Sequence, residues 1–446
     1  MDTNSTVVVQ SNLTFPSNGK KTIAAVFFIL ESNTTVGIAD RIGKYKWMSI
    51  RYNLVLLTNE ADFIKKKIPA ATIIYVPYFR FPIVATYLFW LMCGIKLRSI
   101  KYDLLYLGFP ESPISFFNFN RPFICLIYQS HEILWRLEKF KKKSIWNVLP
   151  RLSHKVYTNI VIKGIKNADY NVAVSTQLID FFVKLGVDKT KMEYLPHGAN
   201  LTLFSPDKQI DPHVDNIIPN NKFIMMYTGV INEKRGLDFL LIGTREIIKV
   251  VSDAILVIIG AEEHYTKTIK NKIKENNLMN DVIVMSHIDH ALVPSYLKKA
   301  QVCLSFLELN ATYSMSPPQK IFEYFAMGKP VIANRIPTHT DYIIDGVNGF
   351  IIDFNEKEFV KAIVQLHDNK ALYEQMSKNA IKTSIEYDLE KINKKFGDII
   401  DRFLQNSNIE GQKVIRKCKI CHRPIRIGRK YCWKHRHRSQ DESVRR

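Results

Sequence analysis

Short apolar runs alternate along most of the chain with longer segments whose apolar residues recur at helical spacing, the pattern of a parallel-sheet α/β protein. In the first half, Ile23–Leu30, Asn53–Thr58, Thr72–Val76, Leu104–Leu107, Phe123–Tyr128, Tyr170–Val174 and Met192–Tyr194 predict strands. Thr176–Leu185 predicts a helix that Gly186 ends as a C-cap. From Pro206 to Asn221 the chain is rich in Pro, Asp and Asn and shows neither period, which predicts a linker. The alternation then restarts. Phe223–Thr228, Ala254–Ile259, Val282–Met285, Val302–Phe306, Val331–Asn334 and Gly349–Ile352 predict strands, separated by helices such as Leu237–Val251 and Lys357–Asp368.

Two such halves predict two doubly wound, Rossmann-like domains, residues 21–205 and 222–390, joined by a linker at 206–221. Facing strand ends would enclose a cleft between them. A disordered stretch is expected at 1–20, a terminal helix at 391–410 and a basic tail at 411–446. The apolar run Ile83–Ile95 is shorter than the roughly 18 residues a membrane span needs. It fits either a buried helix of the first domain or one lying at a membrane surface.

Composition sharpens this picture at the two ends. The 446 residues are 46% hydrophobic and 24% charged, as in a folded soluble protein, and the formal charge is +21. Thirteen Lys and Arg against Asp441 and Glu442 place +11 of it in residues 411–446, leaving 21 − 11 = +10 for the rest. A tail of that charge suits nucleic acid, anionic lipid or any other polyanion. The first twenty residues are polar and show no secretory signal. Cys93, Cys125 and Cys303 lie in apolar stretches and read as buried thiols, so no disulfide framework is expected and a cytoplasmic location fits. Cys418, Cys421, Cys432 and His435 have the spacing of a tetrahedral zinc site, structural because four ligands close the shell, with His422 and His437 as alternative nitrogens.

The stretch from Ser314 to Gly349 carries the candidate chemistry. Pro317 and Pro318 suit the start of a helix, where free amides attract anions, and Lys320 adds charge near the same turn. Glu323 follows one turn later on the same face, placed to accept hydrogen bonds from ribose hydroxyls. An ordinary helix with a surface Lys320–Glu323 pair fits the same residues.

This segment resembles the donor-binding segment of the family 4 retaining glycosyltransferases, which have the GT-B fold. Glu323, Ala326, Gly328 and Pro330-Val331 match the second half of the family's pattern, whereas Met315 stands where the family has a first glutamate eight positions earlier. Met226 to Leu237 resembles the first strand and glycine turn of the nucleotide-binding domain, with Gly229 at the turn, Val230 in place of a common arginine, and Arg235 at the basic position before Gly236. Val174-Ser175, Leu195 to Asn200 and Phe204-Ser205-Pro206 resemble the end of the first domain.

The resemblance implies retaining transfer of a sugar from a nucleoside-diphosphate sugar to an acceptor hydroxyl, without a divalent metal for catalysis; no Asp-x-Asp motif argues otherwise. Gly229, Arg235, Ser316, Pro318, Lys320 and Glu323 would bind the donor, and Arg235 and Lys320 would stabilise the departing diphosphate. The backbone around Met315 and Ser316 would replace the missing glutamate. His131, followed by Glu132, would lie near the sugar and acceptor. A glycan or lipid-linked acceptor is expected, with peripheral association at the cytoplasmic face of a membrane. Two rival readings use the same architecture: a nucleotide-sugar epimerase, and a non-catalytic binding protein anchored by its zinc tail.

Overall fold

The computed structural model describes residues 19–29, 38–79, 84–109, 111–117, 122–127 and 148–412. His131, the proposed zinc ligands Cys418, Cys421, Cys432 and His435, and the rest of the 413–446 tail lie outside the described residues.

Two parallel sheets organise the chain. The first has the order β3-β2-β1-β4-β5-β6-β7, formed by β1 Thr22–Phe27, β2 Asn53–Thr58, β3 Thr72–Tyr75, β4 Leu104–Gly108, β5 Phe123–Ile127, β6 Tyr170–Ala173 and β7 Met192–Tyr194. The second has the order β10-β9-β8-β11-β12-β13, formed by β8 Phe223–Thr228, β9 Ala254–Ala261, β10 Val282–Ser286, β11 Val302–Ser305, β12 Val331–Asn334 and β13 Gly349–Ile352. The central strands are apolar on both faces because helices cover both: β1 and β8 are buried at every position. Alternate residues of β8 therefore feed different cores, Met225 and Tyr227 one, Ile224 and Met226 the other.

Several boundaries differ from expectation. The ladder of β1 stops at Phe27 and not Leu30, because the Asn59 side chain takes over the backbone of Ile29, accepting from its N–H at 2.9 Å and donating to its carbonyl at 2.6 Å. Within the expected linker a short helix forms at Pro212–Ile217. Asp211 caps it by accepting from the His213 amide at 2.9 Å, and Pro212 sits in its first turn. Val214 and Ile218 then bury against the second domain. The donor-segment helix begins at Lys320, two residues beyond Pro318, and runs only to Ala326.

The terminal helix, Leu389–Gln412, returns to the first domain. Ile392, Phe396, Ile399 and Ile400 join the core beneath β1, β2 and β4, with the Phe396 and Tyr106 rings 5.5 Å apart. Arg402 pairs with Glu193 at 2.6 Å and Arg51 with Asp401 at 2.5 Å. The two chain crossings lie side by side: Ala199 donates to the Tyr387 carbonyl at 2.9 Å and accepts from Leu389 at 2.8 Å. Gly198 belongs there because an added Cβ would meet the Tyr387 carbonyl oxygen at 2.4 Å.

Candidate functional site

In the second sheet the strand order reverses between β8 and β11, the place where open α/β sheets leave a crevice for ligands. The turn leaving β8 is held by glycine geometry. Gly229 has φ 101° and donates to Ile259 O at 2.8 Å. A 3-10 turn at Glu233–Arg235 follows, ended by Gly236 at φ 77°, where a Cβ would meet Phe306 at 2.5 Å. That tight turn delivers Arg235 beside β8, its guanidinium 5.6 Å from the centre of the Tyr313 ring.

The Lys320 side chain arrives at the same crevice from the other side. Its ammonium is buried, makes no hydrogen bond among the described residues, and stands 3.3 Å from the centre of the Tyr227 ring. The Tyr227 hydroxyl donates to Val230 O at 2.9 Å, which fixes the ring. Burial, and then repulsion from Arg235, holds the Lys320 pKa well below the usual lysine range. A face-on aromatic ring offsets only part of the cost of such a charge.

Glu323, one turn on, is buried except at its tip, and its Oε1 is bonded to His290 Nε2 at 3.0 Å. The neighbouring Tyr324 hydroxyl accepts from the Thr228 amide at 2.9 Å and lies 3.0 Å from its Oγ1, tying the helix to the end of β8. The amides expected to bind an anion are partly occupied: Ile321 N–H donates to Pro318 O at 3.2 Å and Phe322 N–H to Gln319 O at 3.1 Å. Positive charge at the crevice therefore comes from the Arg235 and Lys320 side chains. Ser316 and Pro318 lie in the segment that leads into the helix, and the Ser316 hydroxyl is buried without a hydrogen bond.

Met315 acts across the domain boundary. Its carbonyl accepts from Ser175 Oγ at 2.5 Å and its side chain packs on the core of the first domain. Ser175 also caps the Thr176–Lys184 helix by accepting from Leu178 N at 3.1 Å. Gln177 to Asp341 at 2.8 Å and Tyr194 to Tyr342 at 3.0 Å extend the contact. The structure thus brings Gly229, Arg235, Lys320 and Glu323 to one crevice. It adds Tyr227 and Tyr324, which lie inside the segments already singled out but carry no expected role there, and Tyr313 and His290, which no motif announces. Among the described residues no group of three or more His, Cys, Asp or Glu could hold a metal ion.

Two doubly wound parallel sheets in contact, with this crevice on the second, define the GT-B class of fold. Residues 209–383 match the family model of glycosyl transferases group 1, so the second half of the chain carries a group 1 glycosyl transferase domain. An uncharacterized glycosyltransferase of Methanocaldococcus jannaschii is 23% identical over 385 residues, spanning 82% of this chain and 89% of that protein. Among solved structures, sucrose-phosphate synthase from Thermosynechococcus elongatus superposes with a TM-score of 0.68 at 16% identity, covering 87% of this chain and all of that one. The Anabaena HepE protein in complex with UDP-glucose superposes with a TM-score of 0.66 at 15% identity, over 86% of this chain and all of that one.

Proposed function

We propose that the protein transfers a glycosyl group from a nucleoside-diphosphate sugar to an acceptor hydroxyl, with retention of anomeric configuration. The observation that carries this reading is the pair of cations at the β8–β11 crevice, Arg235 and the unpartnered, buried Lys320 ammonium. Two neighbouring positive charges out of water are costly, which depresses the Lys320 pKa, and a diphosphate supplies the counter-charge that favours its protonated form. Glu323 stands one turn away, where a carboxylate would accept hydrogen bonds from the ribose. In the reaction the bond from the anomeric carbon to the diphosphate oxygen breaks as the acceptor oxygen approaches from the same face. Negative charge then grows on the leaving phosphate, Arg235 and Lys320 stabilise it, and the acceptor proton passes to that phosphate oxygen. The UDP-glucose complex of a protein with the same fold supports a nucleotide-sugar donor.

Calorimetric titration with UDP, GDP, ADP and their sugars tests the reading. Selective binding of one nucleotide, weakened by Glu323→Ala, is expected; no binding to folded wild-type protein would overturn it.

A lipid-linked acceptor is favoured by the apolar helix Ala85–Arg98. Phe89, Trp90, Cys93 and Leu97 bury into the first domain, but Val84, Leu88, Leu91 and Ile95 form a stripe that is 38–55% exposed. Lys101 follows the helix on the surface, and the body of the chain is basic, so an anionic lipid surface suits this face. Among the described residues no helix is long and apolar enough to cross a membrane. Flotation with vesicles containing anionic phospholipid should carry the wild type but not a Leu88→Glu, Leu91→Glu double variant; equal flotation of both would remove the stripe from the reading.

A further inference from the structure

The proposed ribose-binding carboxylate is not held by its own helix. Glu323 lies on Lys320–Ala326, but the group that bonds its Oε1 comes from the loop between β10 and the Val293–Lys299 helix. That loop is built to present His290. The Asp289 side chain accepts from the Ala291 amide at 2.9 Å, and the His290 carbonyl accepts from Val293 N at 3.3 Å as the next helix begins. The Phe204 ring meets the imidazole edge-on, with centroids 5.3 Å apart. His290 is therefore fixed on three sides while its ring remains about half exposed. Glu323 Oε2, by contrast, makes no hydrogen bond among the described residues and is not sealed from solvent.

From this asymmetry we infer that His290 is a positioning residue for donor binding: it occupies one oxygen of Glu323 and thereby turns the other toward the ribose hydroxyls. The inference rests on the donor-site reading above. Without His290 the Glu323 side chain would be free to rotate, and its second oxygen would spend less time facing the ligand. The pair also makes donor affinity sensitive to pH. The charged groups that bear on the imidazole are Glu323 from the facing helix and Asp289 from its own loop; the turn at Phe204 contributes an uncharged ring. Both carboxylates favour the imidazolium, the hydrogen bond to Glu323 most strongly, so His290 stays protonated to higher pH than an ordinary histidine. Affinity should therefore be highest below the raised pKa and fall as pH rises through it.

The test is the dissociation constant of the tightest-binding nucleotide among UDP, GDP and ADP, measured from pH 5.5 to 8.5. In His290→Ala, binding at the acid end should weaken by about tenfold, the loss typical of a charge-assisted hydrogen bond, and the pH profile should flatten. His290→Gln keeps a donor without a titrating charge, so it should restore much of the affinity while lacking the part of the profile that titrates with His290. The penalty of His290→Ala should vanish in a Glu323→Ala background and for the 2′,3′-dideoxy nucleotide, because it acts only through the ribose contact. A merely structural histidine would weaken binding of both nucleotides alike. Nucleotide binding that Glu323→Ala weakens but His290→Ala leaves unchanged would overturn this inference alone. Absence of nucleotide binding by the wild type would overturn the donor site itself, and this inference with it.

Discussion

The Lys320 ammonium sits on the face of Tyr227, 3.3 Å from the ring centre, and has no hydrogen-bonding partner. This is an arrangement that stability alone would not select. Holding this amine buried beside Arg235, at the cost of its proton, weakens the fold, and a permanently neutral side chain of similar length would relieve it.

Lys320→Met is therefore expected to raise the thermal midpoint by a few degrees, on the order of 1 kcal/mol, while abolishing glycosyl transfer. The gain should depend on pH. Below 10.5, and above the lowered folded-state pKa, the unfolded chain binds a proton that the folded chain does not. Wild-type stability thus rises with pH across that window, and the advantage of the variant shrinks toward its upper end. Differential scanning fluorimetry at pH 7 and pH 9.5 reads both effects; a destabilised variant would contradict the unpaired-charge account.

Donor binding should be linked to proton uptake. A diphosphate beside Lys320 adds an attraction that opposes the burial and the Arg235 repulsion depressing its pKa, so the lysine gains a proton when the ligand arrives. Calorimetric enthalpies of nucleotide binding should vary with the ionisation enthalpy of the buffer in the wild type. In Lys320→Met or Lys320→Gln that dependence should shrink by the contribution of one group.

Much of the fold was legible because fully covered parallel strands read as unbroken apolar runs. β12 and β13 coincide with the expected segments residue for residue. The differences lie where a distant side chain intervenes, as Asn59 does at the end of β1, or where a short cap such as Asp211-Pro212 starts a helix too brief to show a period. At the site, the Lys320–Glu323 spacing on one helix implies chemistry by itself, whereas Arg235 enters through the resemblance of Met226 to Leu237. His290 and Tyr227 reach the crevice only through tertiary contact, and no spacing encodes that. Met315 looked like the loss of a ligand in sequence, whereas in the structure it joins the two domains.

Tyr324→Phe should separate stability from chemistry at the β8 turn. Its hydroxyl serves the buried Thr228 amide at 2.9 Å, and removing it leaves that donor unsatisfied. A loss of about 1–3 kcal/mol in denaturant unfolding is expected. Because Thr228 precedes the Gly229 turn, donor KM should rise more than kcat falls. An unchanged denaturation midpoint would show that the bond does not matter.

The tail yields a prediction that depends on the spacing of its cysteines alone. Elemental analysis of purified protein should find about one zinc per chain, lost in the Cys418→Ser, Cys421→Ser double variant, as expected for thiolate ligands at this spacing. Zinc-free wild-type protein would dismiss the site.

The return of the Leu389–Gln412 helix to the first domain bears on how the protein is made. Until that helix emerges from the ribosome, the seat of Phe396 and Ile400 beneath β1 and β4 stays open and oily. The first half of the chain must therefore wait, incompletely covered, for the rest to be synthesised. The second domain can close its own core meanwhile. Although translated after the first domain's sheet, the second domain can complete its core earlier.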